Sequence, residues 1–143
     1  MANVDNATTS LSITARDLDP DAVTALLGCA PTRSFRAGDI RSTRGPDQRW
    51  KHGGWFLETT LDREADISAQ ITDLLDQVTQ DVTVWQQIAE RFSARIFCGI
   101  FMERENEGFG LDPDVLTRLA IRKLPVDFDL YGPAQYDEEY RRD

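Results

Sequence analysis

The 143-residue chain carries 25 acidic and 16 basic side chains, 41% hydrophobic residues and three tryptophans, the composition of one folded domain rather than of a disordered segment. Its formal charge of -9 repels a phosphate backbone and disfavours general nucleic-acid binding, and no apolar run approaches the roughly 20 residues of a membrane span. The opening MANVDNATTS lacks the basic start and apolar stretch of a signal peptide, and Cys29 and Cys98 are too few for a disulfide framework, so the sequence predicts a soluble cytoplasmic protein with two reduced, core-type thiols.

In chain order, SLSITA alternates Leu11, Ile13 and Ala15 against Ser12 and Thr14, the period of a half-buried strand. DLDPDAVTALL follows, with Asp19 placed as a helix N-cap, Pro20 at the first helical position and Asp21 where the helix dipole favours a carboxylate. Val23, Leu26 and Leu27 form its apolar stripe, and Gly28 stops it. WFLETTL then alternates Trp55, Leu57 and Thr59 against Phe56 and Glu58 as a second strand. Asp66 opens an amphipathic helix carrying Ile67, Ile71, Leu74, Leu75 and Val78, and a shorter helix from Thr83 buries Val84, Trp85, Ile88 and Ala89. RIFCGIFM reads as a central strand, with a further short strand expected around GFGL.

The phrase GLDPDVLTRLA then nearly repeats DLDPDAVTALL, with Asp112, Pro113 and Asp114 at a second helix start and Leu116, Leu119 and Ala120, extended by Leu124, as its stripe. Leu18 with Val23, and Leu111 with Leu116, would each close a hydrophobic staple. Pro125 closes this helix, and VDFDLY alternates Val126, Phe128 and Leu130 against Asp127, Asp129 and Tyr131 as the last strand. Two similar strand-helix-strand halves joined by helices predict an α+β domain over residues 11–132: a ferredoxin-like sandwich with a mixed or antiparallel sheet of four to five strands and helices on one face. Residues 1–10 and 133–143 are expected to be flexible termini.

The opening strand, the Leu26-Leu27-Gly28 helix end, the following APT, Gly38-Asp39, the strand bearing Trp55, GFGLDPDVL and the closing VDFDLYG together resemble the bacterial domain-of-unknown-function family numbered 4279 over about residues 11 to 132. The resemblance implies a small intracellular bacterial α+β domain and carries over no activity and no catalytic residues.

Residues 32–52 hold Arg33, Arg36, Arg41, Arg44, Arg49 and Lys51 against Asp39 and Asp47, a local charge of +4 that leaves -13 on the rest of the chain. A connection this long is more often functional or mobile than an idle spacer, and at a Debye length near 8 Å it can attract an anion although the whole molecule is acidic. Trp50, His52 and Trp55 lie beside the arginines and suit stacking or the anchoring of a partner. The alternative is a loop folded back on its own acidic body, with its arginines paired and its tryptophans filling the core edge.

His52 is the only histidine, which excludes sites built on several imidazoles, and GFG and HGG lack the spacing of a phosphate loop; the sequence predicts no metal and no cofactor. Cys98, within an apolar strand, would be a poor thiolate. These features predict a non-enzymatic binding or regulatory protein, with an immunity-like protein as a specific version, that engages a protein partner or a small anionic ligand through Arg33, Arg36, Arg41, Arg44, Arg49, Trp50, His52 and Trp55, with Asp129 as a partner for a loop arginine. Two rivals remain: an enzyme acting on an anionic substrate with Arg49 as clamp, His52 as general base and Asp129 as orienting carboxylate, and a homodimer joined along a sheet edge.

Overall fold

The computed structural model describes residues 4–42, 48–60 and 62–133. The chain begins in β1 (Val4–Ala15), whose alternate residues Ala7, Thr9, Leu11 and Ile13 are buried while Thr8, Ser10, Ser12 and Thr14 stay half-buried on the opposite face. Residues 4–10 are therefore not a flexible end. Ala7 is fully buried, and the Thr9 hydroxyl is sealed in the core by hydrogen bonding to Gln70 Oε1 at 2.7 Å while Gln70 Nε2 donates to the Ala7 carbonyl at 3.0 Å. A run of Ser, Thr and Asn can sit against a core because each buried polar group finds a partner there.

Helix α1 (Pro20–Leu27) starts as its residues dictate: the Asp19 carboxylate accepts from the Asp21 amide at 3.0 Å, and Gly28 closes the helix at φ 69. Leu18 and Val23 are both buried, consistent with the staple. The long connection that follows is not structureless. It contains β2 (Arg33–Phe35) and a small hairpin of β3 (Ile40–Ser42) and β4 (Gln48–Arg49), then enters β5 (Gly53–Glu58) and β6 (Asp62–Ala65). Two helices capped by aspartates, α2 (Ile67–Gln77) behind Asp66 and α3 (Val82–Arg91) behind Asp81, lead into β7 (Ser93–Phe101). In α3 only Trp85 and Ile88 are fully buried; Val84 is half-buried and Ala89 faces out. Helix α4 (Pro113–Ile121) and β8 (Val126–Tyr131) complete the described chain. Residues 108–111, expected as an extra strand, form none.

The main sheet runs β2-β5-β1-β7-β8, with β6 alongside the first half of β1, and β3-β4 form a separate ribbon. The helices pack on one face, over Leu11, Ile13, Trp55, Leu57, Ile96, Cys98 and Ile100, and the α+β class with helices on a mixed sheet stands. The two Asp-Pro helix starts do not head equivalent halves: β2 and the β3–β4 ribbon come between α1 and β5, whereas α4 leads directly into β8, and the flanking strands pair differently. β1 and β5 run antiparallel, whereas β7 and β8, joined through α4, form the parallel pair of a crossover unit. Asp-Pro sets where a helix begins and is silent about how the flanking strands pair.

The second helix start also differs in detail. The Asp112 side chain makes no cap; instead the Asp112 amide donates to Ser68 Oγ at 3.0 Å, tying α4 to α2. On α4 and its C-cap Val115, Leu119 and Arg122 are buried, whereas Leu116, 49% exposed, and Ala120 face out; Leu111 packs against the core, but Leu116, its expected staple partner, does not.

Candidate functional site

The face of the sheet opposite the helices is lined by the half-buried hydroxyls of β1, flanked on one side by Arg33, Phe35, Phe56 and Glu58 and on the other by Arg95, Phe97, Asp127 and Asp129. Residues directly opposite one another across a strand pair share a face, which puts Arg33 beside Phe56 and Ser12 beside both Phe56 and Arg95. The loop of residues 32–52 brings its aromatic groups to one end of this face. A turn closed by the Arg36 amide on Asp39 Oδ2 at 2.8 Å, with Gly38 at φ 92, reverses the chain after β2. Two backbone bonds, Gly38 N to the Trp50 carbonyl at 2.8 Å and Trp50 N to the Asp39 carbonyl at 2.9 Å, extend the β3–β4 pairing and hold Trp50 in place.

Trp50 stacks flat on Phe35, with ring centroids 3.7 Å apart and planes 5° from parallel, and Phe35 in turn meets Phe56 at 5.6 Å. His52 approaches both Phe35 and Trp50 edge-on, at 6.1 and 6.3 Å. Gly54 makes this possible: a Cβ there would lie 2.6 Å from the Phe56 ring and 2.7 Å from the Phe35 ring. Guanidinium groups cap the strip at both ends, Arg41 over Trp50 at 4.8 Å and Arg33 over Phe56 at 4.2 Å. The strip thus reads Arg41, Trp50, Phe35, Phe56, Arg33.

The expected site residues do not all come together. Arg33 and Arg36 are satisfied internally: Arg33 Nε donates to Glu58 Oε1 at 2.8 Å, and Arg36 reaches Asp19 and Asp21 at the head of α1 at 2.8 and 3.0 Å. Both pairs are exposed and contribute little to stability. Arg41, Trp50 and His52 come together in the strip, and Arg41 has no ion pair among the described residues. Arg49 leaves the group. It is opposite Ile40 in the ribbon and donates to the Gly38 carbonyl at 2.8 Å rather than to a ring of the strip. Arg44 lies outside the described residues.

Two expected members are elsewhere. Trp55 is fully buried on the helix face, its indole N–H donating to Thr24 Oγ1 at 3.1 Å; it is a core residue, because its strand position has the parity of Leu57 rather than of Phe56. Asp129 is on β8 and accepts from the Tyr131 hydroxyl at 2.6 Å. It is level with Thr8 on β1, whereas His52 lies beyond Ala15, about 23 Å along the strands and three strands across, so Arg49, His52 and Asp129 do not converge. Asp127, on the same face, is bound to Arg95 at 2.6 Å.

Phe35 and Phe56, which form the middle of the strip, are not singled out by sequence reasoning. Their signal is parity: Arg33 and Phe35, and Phe56 and Glu58, occupy strand positions opposite in phase to the core residues. Cys98 is fully buried, and burial pushes its thiol up to about 11, outweighing the contact with Thr9 Oγ1 that favours the thiolate. No group of three His, Cys, Asp or Glu residues that could hold a metal ion occurs among the described residues, and no helix among them is long and apolar enough to cross a membrane.

Residues 5–133 match the model of a family described as a domain of unknown function, DUF4279. No curated protein and no solved structure matches the chain.

Proposed function

Since the chain belongs to the DUF4279 family, whose description names no activity, its role has to be argued from its own geometry, and we propose that it is a non-enzymatic binding protein that engages a partner through the arginine–aromatic strip on the face of its sheet opposite the helices. The observation that carries this is Arg41. It is an exposed guanidinium held on Trp50, with no carboxylate beside it among the described residues, in a chain whose remaining charge is strongly negative. The aromatic groups supply area at small cost in side-chain entropy, and the cation supplies orientation, a combination common at the centre of protein interfaces.

An immunity-like version, in which the acidic body covers a basic protein, uses other surfaces: the helix faces carrying Asp73 and Glu90. Charge reversal separates the two. The triple variant R41E/R44E/R49E and the double variant D73K/E90K are compared with the parent chain in capturing binding partners from the native cell. The strip reading expects the triple variant to lose the parent's partner and the double variant to keep it. The opposite pattern transfers the function to the acidic helices.

A further inference from the structure

The two guanidiniums of the strip make the same stack and differ in one respect. Arg33 lies over Phe56 and gives its Nε–H to Glu58, a carboxylate two residues along the same strand as that ring. Arg41 lies over Trp50 with no carboxylate within ion-pair distance among the described residues. Phe35 already fills one face of the Trp50 ring at 3.7 Å, so Arg41 must cover the other. A ring-bearing ligand therefore finds neither face of Trp50 open. What the stack does present is the rim of a flat guanidinium, whose N–H donors lie in one plane and match two oxygens of a carboxylate or phosphate.

Building on the binding role given above, we infer that Arg41 is the recognition residue of an oxyanion site, that Trp50 is its mount rather than a stacking platform, and that the group recognised is a carboxylate or phosphate presented edge-on. The Arg33–Phe56–Glu58 cluster is the internal precedent: the same stack, completed by a carboxylate of the chain itself. Nearby charge works in the same direction. Arg49 and Lys51 are exposed and make no ion pair among the described residues, whereas the nearest acid of the turn, Asp39, is engaged by the Arg36 amide. A pre-stacked guanidinium loses less side-chain freedom on binding than a lysine would, so an exchange of arginine for lysine is not conservative here.

The test is a titration of the full chain at low ionic strength, following the Arg41 Nε–H and Trp50 indole N–H signals by nuclear magnetic resonance, with three probes: inorganic phosphate, acetate and adenosine. Phosphate and acetate should move both signals and compete with each other, and the tighter of the two identifies the natural source as a phosphoryl or a carboxyl group. Adenosine, a neutral ring, should move neither. Arg41→Lys should weaken anion binding about tenfold or more, while Arg91→Lys, at a third stacked guanidinium that lies over Phe92 at 5.0 Å outside the strip, should leave it unchanged. Adenosine binding with equal affinity, an Arg41→Lys variant as tight as the parent, or signals unmoved by both anions would each overturn the assignment. If the anions fail while R41E/R44E/R49E still loses the captured partner, the oxyanion assignment falls and the binding surface stands. If the anions bind Arg41 but the triple variant keeps its partner, the site is real and the interface lies elsewhere.

Discussion

Lys123 holds the left-handed conformation at φ 56 just past the end of α4, the position a glycine usually fills. Its amide donates to the Ala120 carbonyl and the Leu124 amide to the Leu119 carbonyl, both at 3.0 Å, which closes the helix in a Schellman turn. Beside it the C-cap, Arg122, is 4% exposed at a place in the stripe where an apolar residue is expected. Burial and the neighbouring Arg118 hold this guanidinium below its ordinary range, partly countered by Asp76. It is accommodated because it donates to the Arg118 carbonyl at 3.1 Å and to Gln80 Oε1 at 3.0 Å, and because the negative end of the helix dipole lies against it. Lys123→Gly removes the steric cost of a side chain in the left-handed region and should raise stability by about 0.5–1 kcal/mol, read as a higher urea midpoint at unchanged slope. Cys98 carries a second prediction at this scale. Its folded thiol titrates near 11 and an unfolded one near 9.0, so between these values the unfolded state sheds its proton first and folding stability falls as pH rises. The loss reaches roughly 2–3 kcal/mol. Cys98→Val should flatten that part of the stability profile, measured against the parent because lysines and tyrosines titrate in the same range. Neither feature is visible in the sequence: RKLP could end a helix in several ways, and only packing decides that Arg122 turns inward.

Among the elements, what is legible in the sequence is what neighbours in the chain decide. Asp19-Pro20, Asp66 and Gly28 placed helix ends correctly because caps act over three or four residues. Of the stripe expected for α4, Leu119 and Leu124 are buried, but Leu116 and Ala120 face out and Val115 turns inward, because the tie from the Asp112 amide to Ser68 comes from a helix more than forty residues away. The strip was half legible. Its arginines and Trp50 stood out as a charge reversal in an acidic chain, but Phe35 and Phe56 join it only through the pairing of β2 with β5, and the parity of Trp55 sends that residue to the core instead. Gly54 is the point where the element can be tested. Alanine there puts a Cβ 2.6 and 2.7 Å from two ring carbons, well inside van der Waals contact, so Gly54→Ala should cost about 1–3 kcal/mol and displace Phe35 from Trp50. The accompanying signature is a change in Trp50 fluorescence without a change in that of the buried Trp55 and Trp85; an alanine variant with parental emission and stability would show that the rings do not depend on the glycine.

For the whole molecule, β1 is the strand on which everything else is registered. It pairs with β5 through residues 10–15, with β6 through residues 4–7 and with β7 through residues 6–14, and α2 packs over it. The apparent duplication of the sequence therefore does not produce two self-sufficient halves: the N-terminal strand is the centre of the sheet, flanked by strands from both halves, and the repeated Asp-Pro phrase marks only where two helices begin. Its first part escaped notice in the sequence because Asn6, Thr8 and Thr9 carry no apolar signal, and the burial of Thr9 depends on Gln70, sixty-one residues later. This gives a prediction that a flexible terminus would not. Deleting residues 1–8 removes the described pairing of β1 with β6, three of its positions against β7, the burial of Ala7 and the acceptor of the Gln70 amide. Each lost buried hydrogen bond costs on the order of 1 kcal/mol, more where Gln70 keeps an unpaired donor, so the truncated chain should lose about 3 kcal/mol or more. Equilibrium urea unfolding and hydrogen exchange of the β7 amides measure it: the expected result is a lower midpoint with early exchange at residues 99–101, and a truncated chain as stable as the parent would mean that the sheet is organised around a different strand.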